Sequence, residues 1–177
     1  MLKKNRTTLQ RLRRWSRYQY LRVMRMNATP YSVAMGLAVG IFAGFLPIVP
    51  LQTALTVALC LPLRGNPVVG FMGTWISNPF NWVPFYYFLF IVGRALVPWD
   101  VPPLELDQFG AMLRSFDVTE FMSFGKDLLA SFQVMLIAGC AMGLPSAVVT
   151  FYVTRVAVIR YRRRRALRLL RKRTRLS

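Results

Sequence analysis

Seven side chains stand where chemistry in an apolar setting would need them. Gln52, Asn66, Asn78, Asn81 and Gln133 are the amides inside long charge-free stretches, and Arg64 and Arg94 are the cations beside them. An amide donates and accepts at once, so it can hold the freed backbone groups of a broken helix or line a site for a polar solute. A guanidinium turned inward would suit an anion such as a lipid phosphate, whereas one turned outward snorkels to an interface at little cost. Bond-making chemistry has less to work with. The chain has no histidine, its two cysteines (Cys60 and Cys140) sit in apolar stretches without metal-ligand spacing, and all six acidic residues fall between Asp100 and Asp127. No nucleophile has a base at hand and no carboxylate pair lies in an apolar segment. Neither an enzyme nor a metal or cofactor site is expected.

The elements that must position these residues follow from charge and hydropathy. Of 177 residues, 55% are hydrophobic, yet the net charge is +18. Nine Lys and Arg lie between Lys3 and Arg25 and eleven between Arg155 and Arg175, so the cations frame an uncharged middle. A water-soluble helix needs charges along its outer face, and whole predicted helices here have none. The chain therefore reads as an all-α integral membrane protein.

Residues 1–30 form a basic arm in which Leu9, Leu12, Trp15, Tyr18, Leu21 and Met24 recur every third position. That spacing suits a helix lying on anionic phospholipid. Residues 31–63 carry no charge and as one helix would reach about 50 Å, against a hydrocarbon core of about 30 Å. Pro47 and Pro50 supply the break, leaving either a re-entrant hairpin or one crossing made of two half-helices. Residues 66–97 repeat the pattern, with breaks at Asn78-Pro79 and again at Pro84. Residues 98–127 hold the acids, and Asp117 with Glu120 suggests a helix cap there. Residues 128–154 are uncharged throughout, make the cleanest span, and run into a basic tail over 155–177.

Cations near membrane ends mark the cytoplasmic side, which places both termini there and makes the number of crossings even. The last apolar segment crosses, so one of the two broken zones crosses and the other re-enters. Both assignments put the acidic zone outside. Keeping Arg64 inside favours re-entry for 31–63. The expectation is two complete spans plus a re-entrant or broken helical hairpin, with basic amphipathic terminal helices.

Gly36, Gly40 and Gly44 recur every four residues and share one helix face. Such faces let backbones approach closely in a bilayer, against another helix of the chain or in a homo-oligomer. The basic ends raise the question of nucleic acid, but no fold for reading it is recognisable, and anionic lipid is the expected partner.

Taken in order, Gly36, Gly40, Gly44, Phe45-Leu46-Pro47, Pro50, Gln52-Thr53, Asn66, Gly73-Thr74-Trp75-Ile76-Ser77-Asn78-Pro79 and Gly93 resemble a bacterial family, the domain of unknown function 2062. The resemblance implies a bacterial inner-membrane protein and brings no activity with it. On the residues alone the leading expectation is a polar cavity between the broken helices. It would be lined by Gln52, Asn66, Asn78 and Asn81 with Arg64 and Arg94 as anion contacts, and would move or hold an anionic lipid or small solute. The rival is a non-transporting scaffold held to anionic lipid by its basic ends.

Overall fold

The structure, a computed structural model, describes residues 28–48, 51–78, 80–99, 101 and 125–173, with side chains in the last segment over 129–171. The basic arm up to residue 27, Pro50, Pro79, most of the acidic zone with its Asp117–Glu120 cap, and residues 174–177 lie outside the described residues. Within them every regular element is helical and no strand occurs. The all-α class stands.

Helix α1 spans Pro30–Phe45, with Thr29 as N-cap accepting from Ser32 N–H and Pro30 in the first turn, where its missing donor costs nothing. It stops because Leu46 precedes Pro47 and is held extended, at ψ 135°. Helix α2 spans Gln52–Cys60. Its end is a Schellman turn: Gly65 N–H donates to Cys60 O (2.8 Å) and Arg64 N–H to Leu61 O (3.2 Å). Helix α3 spans Pro67–Gly73 and tightens into a 3₁₀ turn over Thr74–Ile76. After a short break, α4 spans Trp82–Leu96, and α5 then runs unbroken over Gly125–Arg173.

Contacts set the directions of these helices. Glycines on α1 meet α3 in steps of four on both sides. A Cβ added at Gly36 would overlap Asn66 O, one at Gly40 would overlap Gly70 O, and one at Gly44 would lie 2.5 Å from Ile76 Cγ2 and 3.3 Å from Thr74 O. Equal steps mean that α1 and α3 run parallel with backbones touching. Helix α2 runs the other way alongside the pair. A Cβ added at Gly70 would sit 2.7 Å from Thr56 Cγ2 and 3.2 Å from Cys60 Sγ, while Gln52 reaches Ser77 at the far end. So α1 goes in, α2 comes back, and α3 goes in again beside α1. Asn66 N–H closes the loop on Ser32 O at 2.8 Å.

Helix α5 supplies the long wall. Phe45 backs onto Gly139 and Gly143, Tyr31 meets Phe151 edge-on at 5.6 Å between ring centroids, and Val33 and Val69 cluster with Val158. Thus α1 lies antiparallel to α5, with its start at the basic end. Helix α4 continues beyond the hairpin tip, where Gly93 is pressed against the Val134 backbone. The main core gathers there from Phe45, Tyr86, Leu89, Phe90, Val101, Val134, Met135 and Ala138.

One expectation changes. Pro84 does not break a helix: it lies in the first turn of α4, where no intrahelical N–H partner exists to lose. Pro145 lies inside α5, which stays continuous through it. The uncharged stretch runs into the basic one as expected, within a single 49-residue helix. Of the two partners left open for the glycine face, another helix of the same chain occupies it.

Candidate functional site

The two breaks meet. The turn from α1 to α2 presents Leu46 and Gln52, and the break between α3 and α4 presents Ser77, Asn78 and Asn81. Ser77 Oγ donates to Gln52 Oε1 at 3.3 Å, and Tyr86 OH, from α4, donates to Leu46 O at 3.2 Å. Thr56 Oγ1 donates one turn back to Gln52 O at 2.7 Å. Gln52, Thr56, Thr74 and Ser77 are all buried, as is Tyr86. A polar cluster therefore ties the hairpin tip to the second break inside an otherwise apolar bundle.

Four of the five amides lie at the breaks or at a helix cap, whereas Gln133 is exposed on α5. Gln52 opens α2 inside this cluster. Asn78 and Asn81 hold the break itself: Asn81 Oδ1 accepts from Asn78 N–H (2.7 Å), Asn81 Nδ2 donates to Ile76 O (2.8 Å), and Asn78 Oδ1 accepts from Phe80 N–H (3.0 Å). Asn78 and Asn81 thus satisfy backbone groups that the break sets free. Asn66 is elsewhere. It caps α3, accepting from Val68 and Val69 N–H at 3.0 and 3.2 Å, at the end of the bundle where α1 begins.

The arginines do not join Gln52, Asn78 and Asn81. Arg64 sits exposed in the turn beyond α2, a nine-residue helix that separates it from Gln52 by about 14 Å or more. Arg94 lies in the last turn of α4, with its guanidinium 5.9 Å from the Phe90 ring centroid. Thirteen helical steps, about 20 Å, separate it from Asn81. The six expected lining residues fall into three places: Gln52, Asn78 and Asn81 at the junction of the breaks, Arg64 and Asn66 at the basic end, and Arg94 at the opposite end. Each arginine has a local role. Arg64 occupies the left-handed position of the Schellman turn at φ 52°, and Arg94 complements the helix dipole while covering Phe90.

Arg64 is a strained choice at that turn. A side chain there costs about 1 kcal/mol relative to glycine, so Arg64→Gly is expected to raise stability by about that amount in detergent unfolding. Lower stability would show that the guanidinium makes a contact worth more than the strain.

Ser77, Thr56, Thr74 and Tyr86 were not among the expected site residues. Gln52, Thr56 and Cys60 recur every four residues and form the buried face of α2, a signal that was available. Tyr86 sits in a continuous aromatic run, Phe85 to Phe88, that gives no hint of which hydroxyl turns inward. Trp82 Nε1, at the start of α4, is buried without a hydrogen-bond partner among the described residues. Among the described residues, none of the hydrogen-bond partners of Ser77 is a base at neutral pH. Among the described residues, no group of His, Cys, Asp or Glu is placed to hold a metal ion.

The sequence matches the family described as an uncharacterized protein conserved in bacteria (DUF2062) over residues 13–167. No curated protein and no solved structure matches. The matched stretch takes in every described helix except the end of α5, including both breaks and the glycine face, and the chain belongs to this bacterial family.

Proposed function

We propose that the chain is a polytopic protein of the bacterial inner membrane that acts as a scaffold. The observation that carries this reading is α5, which alone among the described helices is long and apolar enough to cross a membrane. Only 28% of its most apolar stretch is buried in the protein, and Leu144, Val148, Val149, Tyr152 and Val153 stand outward. A helix at the centre of a soluble fold would be covered; lipid is the solvent that suits this one.

The other elements fit around it. Helices α1 and α2 reach about 24 and 14 Å, too short to cross, and form the re-entrant hairpin. Helix α3 with its 3₁₀ turn adds about 15 Å and α4 about 22 Å, together enough for the first crossing. Helix α5 returns. This puts Arg64 and the basic half of α5 on the cytoplasmic side, with Arg155 and Arg160 at the level of anionic phospholipid headgroups.

Scaffolding is favoured over transport because the polar residues at the breaks are occupied by the chain's own amides and carbonyls, and the arginines stand apart from them. One feature keeps transport as a second reading: two broken helices meet at one depth, as they do in many transporters. Proteoliposomes carrying fluorescent phosphatidylglycerol, read by dithionite bleaching, separate the two. The scaffold leaves the inner leaflet protected as in protein-free vesicles. Rapid bleaching that Gln52→Ala abolishes would establish transport instead.

A further inference from the structure

The basic half of α5 continues past the point where Val158 and Tyr161 pack on the bundle. Residues 163–171 are exposed around the whole helix, and between Arg155 and Arg173 there is neither proline nor glycine to bend it. At 1.5 Å per residue, Arg160 lies about 8 Å beyond Arg155, Arg163 about 12 Å and Arg173 about 27 Å. The attraction of an anionic leaflet decays over about 8 Å at physiological ionic strength. Headgroups therefore hold Arg155 and Arg160, whereas the six cations from Arg162 to Arg171 stand mostly beyond their reach, with no acidic residue among them.

The same segment carries an apolar stripe. At 100° per residue, Val156, Ile159, Ala166 and Leu167 fall on one side, with Arg160, Arg163 and Arg164 beside or within it. Val156, Ile159 and Leu167 are 44, 45 and 52% exposed. Phosphate contacts in nucleic acid would use the cations and leave that stripe in water. A second copy of this helix would bring cation against cation. An acidic amphipathic helix answers both features, with carboxylates for the arginines and an apolar face for the stripe.

We propose that the cytoplasmic half of α5 docks an acidic amphipathic helix of a partner protein. Ile159 and Leu167 seat its apolar face, and Arg160, Arg163 and Arg164 pair with its carboxylates. The proposal rests on the scaffold reading and names the class of partner scaffolded.

The test uses the full chain in nanodiscs containing phosphatidylglycerol, with Cys60 and Cys140 changed to Ser. A nitroxide at Leu167→Cys reports where the helix lies. Fluorescence anisotropy then compares a Glu/Leu amphipathic helical peptide with a single-stranded oligonucleotide of equal net charge. The nitroxide is expected to be open to a water-soluble relaxant, and the peptide to bind more tightly than the oligonucleotide. The double variant Ile159→Gln, Leu167→Gln, which keeps every cation, should weaken the peptide about tenfold, the equivalent of part of two buried aliphatic side chains. A nitroxide immersed in lipid, spin–spin broadening between copies, tighter oligonucleotide binding, absent peptide binding, or an unchanged peptide affinity in the double variant would each overturn the proposal. None of these outcomes bears on lipid protection in the dithionite assay, so failure here is distinguishable from failure of the scaffold reading.

Discussion

Gly40→Val is expected to unfold the hairpin from α3, lowering stability by about 3 kcal/mol or more. The first atom of the new side chain would overlap Gly70 O, a backbone atom that cannot rotate aside. Nor can α3 retreat easily. A Cβ at Gly73 would already lie 2.9 Å from Leu37 O, and Gly70 is hemmed on its other side by Thr56 and Cys60. In the proposed membrane setting the hydrophobic effect between helices gives little, so close packing carries the association and its loss is not offset. Reversible unfolding in mixed detergent, followed by circular dichroism, measures the cost. Val57→Ala, on the outward side of α2 at 41% exposure, is the control and should shift stability by no more than about 0.5 kcal/mol. A Gly40→Val protein as stable as the control would mean that α1 and α3 do not pack through this face.

Asn81→Leu is expected to be the next most damaging change. Its side chain accepts from Asn78 N–H at 2.7 Å and donates to Ile76 O at 2.8 Å, bridging the break from both sides. Leucine keeps the volume and abandons both backbone groups. Each group left without a partner costs about 1–3 kcal/mol, so the pair predicts a loss of about 3 kcal/mol. Asn78→Leu should cost less, because its own side chain holds the exposed Phe80 N–H at 3.0 Å and Trp75 O only at 3.4 Å. The ratio of the two losses in the same unfolding assay is the informative quantity. Equal losses would show that water reaches the break and substitutes for Asn81.

Much of this architecture could be read in the residues. Uncharged length fixed where helices must break, and Pro47 and the Asn78-Pro79 pair marked two of the places. Four-residue glycine spacing identified the packing face, although it left the partner open. Other parts were hidden for physical reasons. Proline has opposite meanings in a helix interior and in a first turn, and nothing local to Pro84 shows that α4 starts at Trp82. The direction of 31–63, in and back out, depends on α3 lying beside α1, a contact between residues about thirty apart in sequence. The expected gathering of Arg64 and Arg94 with the amides failed for a related reason. Segment membership placed all six residues near the breaks, whereas helix length set the arginines at opposite ends of the bundle.

The central claim is that the chain enters and returns by 30–65, crosses by 66–97, and crosses back by α5. Single cysteines at Arg64, Trp99 and Leu167, each in a background without Cys60 and Cys140, test it in intact cells with a membrane-impermeant maleimide. Trp99, 47% exposed beyond the end of α4, should be labelled from outside. Arg64→Cys and Leu167→Cys should react only after the inner membrane is permeabilised. External labelling at position 64 would make 31–63 a full crossing and contradict the hairpin. External labelling at position 167 would reverse the orientation of α5 and, with it, the cytoplasmic placement of the basic helix.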